Sequence, residues 1–210
     1  MKRIDVIVHS AIRIVSDSGV VIYFDPFRLE DVSNDADIIF ITHPHYDHFS
    51  KDDILKVKKD SSKIIIPSEL FKEVIDLGFD SELITCVEPN CSYECDGIKF
   101  STIPAYNINK EFHKKEYNWV GYVVDIDDAT VYVAGDTDAT DEAKSVSCDI
   151  ALVPIGGTYT MNANEAAELV ESIMPRKAIP IHYGSIVGSK ADAIDFKEIL
   201  DGKVEVEIKL

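Results

Sequence analysis

Residues 42–48, with the sequence THPHYDH, hold the densest group of chemistry-bearing side chains in the chain. They include His43, His45, Asp47 and His48, and thus half of the chain's six histidines. Neighbouring imidazoles disfavour one another's protonated forms, so packing alone gives no reason for this density. A metal ion resolves the conflict because it binds neutral imidazoles and ionised carboxylates. The segment therefore predicts a metal site on a loop that follows a buried strand.

Two further candidate ligands lie downstream, each at the end of a predicted strand. Asp136 follows Gly135, a residue that lets the backbone approach closely. His182 follows the apolar residues 179–181 in the same way. Each signal is weak alone, since an aspartate after glycine is often a turn residue and a single histidine is often merely hydrogen-bonded. Together with the first loop they supply one more carboxylate and one more imidazole.

Other residues have a structural and a functional interpretation, and the sequence leaves both open. Asp25 is either a turn residue or the acceptor for the second ring nitrogen of a ligating histidine. His9 is either a core histidine or a substrate contact. Gly157, Thr158 and Tyr159 form either a tight structural turn or a set of backbone amides and a hydroxyl that contact an oxyanion or phosphate.

Short β-branched and apolar runs position these residues. The predicted strands cover residues 4–8, 12–15, 20–24, 37–42, 64–66, 83–87, 98–103, 119–126, 130–134, 150–153, 178–181 and 204–208. Helices are predicted where serine or asparagine caps precede periodic apolar residues, beginning after Ser50, Ser68, Asn162 and Ser189. Many strands come first and helices come between and after them. This order predicts an α/β fold in which two sheets pack face to face with helices outside, as one domain over residues 1–210.

Composition narrows the functional classes. The chain of 210 residues has 46% hydrophobic and 28% charged residues, as expected for a globular protein. No apolar run approaches the roughly 18 residues of a membrane span, and the polar N-terminus does not resemble a signal peptide. Four cysteines without a CxxC pair indicate a reducing compartment. We therefore expect a cytoplasmic protein with no membrane partner, compatible with a homo-oligomer.

Net charge argues against nucleic acid as a partner. The 38 acidic and 21 basic residues give a net charge of -17, which repels a phosphate backbone. The local exception is the basic segment of Lys110, His113, Lys114 and Lys115. It is either a solvated loop or a rim that attracts a small anionic substrate. The expected partner is a small molecule.

On these residues the chain resembles the metallo-β-lactamase superfamily, from Ile4 to the last helix. The motif His43-x-His45-x-Asp47-His48 carries the resemblance. The family has a four-layer αββα sandwich with metals at one edge of two sheets. The resemblance implies that His43 and His45 bind a first metal, that Asp47, His48 and His182 bind a second, and that Asp136 bridges both.

A narrower resemblance is to the branch that includes ascorbate-6-phosphate lactonase. It depends on residues 23–27 (YFDPF), 103–107 (IPAYN), 134–138 (AGDTD) and 154–161 (PIGGTYTM). One feature departs from the superfamily pattern, because the chain has no Gly-His turn to supply a further histidine to the first metal. Asn107 falls at that position, and His113 lies six residues further on. An amide oxygen would favour harder ions such as Mn²⁺ over Zn²⁺, and an empty or weak first site is the third alternative.

The expected activity is metal-dependent hydrolysis. Two divalent ions, Zn or Mn, about 3.5–4 Å apart can activate water as hydroxide, with Asp47 and Asp136 as the catalytic carboxylates. The expected substrate is a lactone, an ester or a phosphodiester. Two alternatives are an iron-dependent redox protein on the same fold and a metal-binding protein whose degenerate site has lost catalysis.

Overall fold

The computed structural model describes residues 1 and 3–210. The chain divides into two compact units, residues 1–88 and residues 89–210. They are called here the first unit and the second unit.

The first unit is built on one mixed six-stranded sheet whose strands follow one another in chain order. The first three strands are antiparallel neighbours and the last four are parallel neighbours. The strands are β1 (Arg3–Val8), β2 (Ala11–Val15), β3 (Val21–Phe24), β4 (Ile38–Phe40), β5 (Lys63–Pro67) and β6 (Ile84–Val87). The helices are α1 (Lys51–Val57) and α2 (Phe71–Asp76), with single 3-10 turns at Ser68–Leu70 and Ser81–Leu83.

Buried β-branched residues explain the core of this sheet. All three residues of β4 are buried, as is usual for a parallel strand. Helix α1 packs Ile54 and Val57 onto this core. It begins at Ser50, whose hydroxyl caps the first turn and also donates to Asp53 at 2.6 Å. This rigid sheet positions the histidine-rich loop, which begins directly after β4.

The second unit is built on a seven-stranded sheet. Its strands are β7 (Ser92–Cys95), β8 (Ile98–Pro104), β9 (Val120–Ile126), β10 (Ala129–Val133), β11 (Ile150–Pro154), β12 (Lys177–Ile181) and β13 (Glu205–Val206). They lie in the order β13-β12-β11-β10-β9-β8-β7, antiparallel from β7 to β10 and parallel from β10 to β13. The helices are α3 (Asp141–Lys144), α4 (Ala163–Ile173) and α5 (Lys190–Ile199), with a 3-10 turn at Lys115–Tyr117.

Helix α4 contributes a large part of the second core. It begins with a capping box in which Asn162 and Glu165 satisfy each other's backbone amides. It ends at Met174, which adopts a left-handed conformation with φ of 47°. Its buried face includes Ala166, Leu169 and Val170, so the apolar stripe that the sequence predicted is the face that packs.

The structure corrects several of the element predictions, among them the strand predicted at residues 204–208, which covers only Glu205–Val206, and helix α3, which was not predicted. The strand predicted at residues 37–42 is shorter, because the chain leaves the ladder after Phe40. Ser68 does not cap the following helix, since its hydroxyl donates to Glu88 and α2 begins at Phe71. The edge strand β7 was not predicted, because polar residues make up most of its exposed side. Within the described part of the chain, no helix is both long enough and apolar enough to cross a membrane.

Candidate metal centre

Several candidate site residues occupy unusual backbone conformations where strands end. His9 follows β1, Asp25 follows β3 and His182 follows β12, and their φ angles are 55°, 45° and 58°. Gly135, which precedes Asp136, has a φ of 66°. Left-handed conformations are uncommon for residues other than glycine, and they cluster at functional sites. The chain therefore turns sharply at these strand ends and sets each side chain at a sheet edge.

In the first unit the predicted loop brings its imidazoles together. His43 and His48 are buried and His45 is half-buried. The rings of His43 and His48 lie 4.0 Å apart between centroids, and His43 Nε2 lies 3.1 Å from His45 Nδ1. A tight turn fixes the loop, since the amides of His48 and Phe49 both donate to the His45 carbonyl.

The carboxylate of Asp25 fixes this loop through hydrogen bonds. Its carboxylate accepts hydrogen bonds from the backbone amide and the hydroxyl of Thr42 at 2.8 and 2.7 Å. The same carboxylate lies 2.7 Å from Nδ1 of His48. Burial raises the pKa of Asp25 above its usual value, whereas the neighbouring His48 and Thr42 oppose that rise. Asp25 thus has the geometry predicted for a residue that orients a ligating histidine.

His9 lies among the candidate ligands of the first unit. Its Nε2 is 3.2 Å from Asp47 Oδ2, which is itself 3.7 Å from His48 Nε2. One atom from each of the three residues lies within 4.8 Å of the others. Sequence reasoning considered His9 only as a core histidine or a substrate contact, so its place among potential metal donors is new. Its position directly after a strand was the available signal.

In the second unit two imidazoles converge on one carboxylate. Asp136 Oδ2 lies 3.2 Å from His113 Nε2 and 3.1 Å from His182 Nε2. All three residues are buried. Two imidazoles and a carboxylate at these distances match the donor set that zinc and similar ions use. The structure therefore brings Asp136 and His182 together as predicted, with His113 as the third member.

Asn107 lies behind His113. Its Oδ1 accepts hydrogen bonds from the backbone amide of His113 at 3.1 Å and is 3.0 Å from the ring Nδ1. The Asn107 amide nitrogen donates to Asp138 and to the carbonyl of Tyr159. Asp138, to which the sequence analysis gave no role, also accepts the amide of Ile108. The geometry thus places an imidazole beside Asp136 and gives the asparagine an orienting position.

The glycine-rich loop after β11 has the geometry of the tight structural turn, which was one of its two interpretations. The amide of Gly157 donates to the Met161 carbonyl and the amide of Thr158 donates to the Gly156 carbonyl, both at 3.0 Å. Because these two amides bond within the loop, they do not supply the oxyanion or phosphate contact that was the other interpretation. Gly156 instead packs directly against His182, where a Cβ atom would lie 2.4 Å from the His182 carbonyl oxygen.

The lysines near His113 each have an acidic neighbour. Lys110 pairs with Asp138 at 2.6 Å and Lys115 pairs with Glu142 at 2.6 Å. The contact with Lys115 lowers the pKa of Glu142 to about 2. Lys114 lies 3.9 Å from Glu111. This segment therefore does not form the rim of uncompensated positive charge that one interpretation of the sequence required.

The chain is similar to known proteins along nearly its whole length. The family described as "Beta-lactamase superfamily domain" matches residues 3–182. A UPF0173 metal-dependent hydrolase of Thermococcus onnurineus is 31% identical over 99% of this chain and 96% of the relative. A UPF0173 metal-dependent hydrolase of Pyrococcus horikoshii is 32% identical over the same shares of the two chains.

A solved structure is also similar to this chain along nearly its whole length. The crystal structure of a putative metal-dependent hydrolase from Parabacteroides distasonis has a TM-score of 0.81 and 28% sequence identity. The match covers 99% of this chain and 92% of that one. Sequence and structure comparisons thus agree over both units of the chain.

Proposed function

Because the chain belongs to the UPF0173 family of metal-dependent hydrolases, which has the metallo-β-lactamase fold, we propose that it hydrolyses a small-molecule ester, lactone or phosphodiester with two divalent metal ions per chain. Hydrolase activity and the fold follow from membership of the family. The number of ions, their identity as zinc or manganese and the substrate class are the proposal. The finer resemblance to the ascorbate-6-phosphate lactonase branch is supported only by the sequence motifs described above.

One observation carries the proposal: in three buried histidines, the second ring nitrogen lies within hydrogen-bonding distance of a neighbouring polar side chain. His48 Nδ1 lies against Asp25, His43 Nδ1 lies 2.9 Å from the Thr42 hydroxyl, and His113 Nδ1 lies against Asn107. Such contacts fix the tautomer and orientation of histidines that bind metal. Packing alone would not require three buried imidazoles to be held in this manner. The donor set therefore fits divalent metal ions.

Each unit supplies its own group of proposed ligands. They are His43, His45, Asp47 and His48 in the first unit, and His113, Asp136 and His182 in the second. His9 is a further donor through its contact with Asp47. Divalent ions held by these residues would polarise the substrate as Lewis acids and would lower the pKa of a bound water.

The chain's own residues account for orientation and for the proton. Asp25, Thr42 and Asn107 hold the imidazoles in place. When water attacks the ester, lactone or phosphodiester, the bond to the leaving oxygen breaks and that oxygen needs a proton. Asp136 is the proposed carrier: it would accept the proton that the attacking water releases and return it to the leaving oxygen, since its carboxylate lies between two imidazoles and is buried away from bulk water.

Metal analysis and one substitution test the proposal together. Protein purified without added metal should contain about two zinc or manganese ions per chain, since a two-metal hydrolase needs both. Asp136→Asn should reduce hydrolysis of an aryl ester and of an aryl phosphodiester by about a hundredfold or more. The control is Asp195→Asn, an exposed aspartate on α5, which should keep full activity.

Three outcomes would contradict the proposal. Iron with a visible absorbance band would favour the redox alternative. About one ion per chain with no hydrolysis would favour a degenerate metal-binding protein. Near-normal turnover by Asp136→Asn would mean that Asp136 is only a turn residue.

A further inference from the structure

Exposed apolar residues in the second unit are next in the chain to Asn107 and His113, which are hydrogen-bonded to each other. They are Ile108, which follows Asn107, and Phe112, which precedes His113 and packs on Tyr159. These three residues are called here the apolar patch. Ile108 is 57% exposed and Phe112 is 46% exposed. The ring of Phe112 meets the ring of Tyr159 edge to face, with centroids 4.7 Å apart. Aromatic pairs of this kind bury large apolar groups with favourable geometry. Exposed apolar groups that cluster, unlike single ones, mark binding surfaces.

The patch is tied directly to the candidate ligands of the same unit. Asn107 orients His113 through its Oδ1 and donates from Nδ2 to the Tyr159 carbonyl at 3.0 Å. Phe112 immediately precedes His113 in the chain. The amide of Ile108 is held by Asp138 at 2.8 Å. One hydrogen-bonded assembly therefore fixes both the patch and the imidazole that faces Asp136.

The charges around the patch favour an uncharged occupant. Lys110 and Lys115 have carboxylate partners at 2.6 Å, and Lys114 faces Glu111. An anionic group bound here would have to compete with those carboxylates for the lysines. The chain's net charge of -17 adds long-range repulsion against anions. A neutral apolar group neither competes with the carboxylates for the lysines nor is repelled by the net charge.

We infer that Ile108, Phe112 and Tyr159 form a subsite for an uncharged alkyl or aryl group of the substrate. The inference rests on the proposed function and narrows it to substrates with an apolar side next to the bond that is cleaved. Each additional CH₂ group that becomes buried against the patch strengthens binding by roughly fourfold. Phe112 and Tyr159 are thus residues that determine specificity.

Binding of small amides tests the subsite without requiring hydrolysis. Hexanamide, acetamide and hexanoate are compared by ligand-observed NMR on the metal-containing protein. We expect hexanamide to bind about fifteenfold more tightly than acetamide, as burial of roughly two of its four extra CH₂ groups implies. Hexanamide should also bind more tightly than hexanoate, which has a chain of the same length and a negative charge.

Substitutions locate the effect. Phe112→Ala and Tyr159→Ala should each abolish most of the preference for hexanamide over acetamide while leaving the metal content unchanged. Phe71→Ala is the matched control, because Phe71 lies on α2 in the first unit and is similarly exposed at 41%. That control should keep the full preference.

The outcomes that would overturn the subsite differ from those that would overturn the proposed function. Equal binding of hexanamide and acetamide to the unmodified protein would overturn the subsite, and so would an unchanged preference in both alanine variants. Tighter binding of hexanoate than of hexanamide would overturn the neutral occupant. None of these outcomes affects metal content or hydrolysis of short esters, which test the proposed function independently.

Discussion

Individual contacts decide which side chains of this chain can act as ligands. Asn107 falls where the superfamily has a further histidine, and its neutral amide suggested a preference for manganese. The amide oxygen instead accepts a hydrogen bond from the backbone amide of His113 and lies 3.0 Å from Nδ1 of its ring. Nε2 of the same ring lies 3.2 Å from Asp136. This geometry argues against Asn107 as a reason for a manganese preference, because imidazole nitrogen suits zinc whereas an amide oxygen suits manganese.

Asn107→Ala should therefore weaken metal binding without removing a ligand. Loss of the acceptor at Nδ1 frees the His113 ring to rotate, and loss of such orienting contacts typically costs 10–100-fold in metal affinity. Competition with a chelating dye at fixed pH measures the effect. Asn109→Ala is the control, because Asn109 is exposed two residues away. Wild-type affinity in Asn107→Ala would show that His113 needs no orientation or binds no metal.

Sequence reasoning at this scale identified a group of candidate ligands where they are close together in the chain. His43, His45, Asp47 and His48 are recognisable because their spacing has no structural explanation. The partnership of Asn107 with His113 was not recognisable, because it depends on how the intervening five residues fold back. The contact of His9 with Asp47 spans 38 residues and likewise has no local signal.

Close packing between elements also positions a candidate ligand. The turn after β11 passes so near the end of β12 that only glycine fits at position 156. A Cβ there would lie 2.4 Å from the His182 carbonyl oxygen, 3.1 Å from its Nδ1 and 2.6 Å from a methyl group of Val187. Glycine at this site therefore holds His182 in place through the absence of a side chain.

Gly156→Ala should lower hydrolysis strongly while the chain still folds. Relief of the contact moves His182, and a displacement of about 1 Å at a catalytic site can cost on the order of a hundredfold in rate. Overpacking should also destabilise the protein by about 1–3 kcal/mol. Activity and thermal unfolding are measured on the same samples. Gly202→Ala is the control for a general glycine effect, because a Cβ at that position meets no atom within 4 Å.

We expect opposite effects of Gly156→Ala and Gly202→Ala on hydrolytic activity. Gly202 has a φ of 72°, so its replacement should reduce stability slightly and leave activity intact. If Gly156→Ala kept wild-type activity, the turn after β11 would have no part in positioning His182. If both variants lost activity equally, the loss would reflect general destabilisation.

Element boundaries were predictable where local chemistry sets them. The capping box of Asn162 and Glu165 fixed the start of α4, and Gly78, with a φ of 80°, lies just past the end of α2. The predicted cap at Ser68 was wrong because a distant residue, Glu88, accepts its hydroxyl hydrogen. Long-range partners of this kind are invisible to a capping rule, which considers only neighbouring residues.

Over the whole chain, strands that are consecutive in the sequence are neighbours within each of the two sheets. Residues 1–88 form six strands in chain order, and residues 89–210 form seven. The metallo-β-lactamase fold predicted from the motif is confirmed by the family match over residues 3–182. The expectations of one domain, a cytoplasmic location and no nucleic-acid partner stay predictions. The acidic composition supports the last of these through long-range repulsion alone.

Removal of metal should destabilise the whole protein. Within each unit, buried imidazoles and carboxylates lie close to one another, which is unfavourable without a metal ion, and bound ions offset that unfavourable free energy only in the folded state. A ligand at a thousandfold excess over its Kd stabilises by about 4 kcal/mol, and a chain of this size shifts by ~2–4 °C per kcal/mol, so chelation should lower Tm by roughly 8–16 °C.

Thermal unfolding with and without chelator measures this shift, and added zinc or manganese should reverse it. His48→Ala provides the comparison, because it removes a candidate ligand that Asp25 holds at 2.7 Å. That variant should begin with a lower Tm and respond less to chelator than the unmodified chain. A general effect of the chelator would lower both melting temperatures equally. An unchanged Tm in the unmodified chain would mean that the buried histidines are stabilised by their hydrogen bonds alone and not by a metal ion.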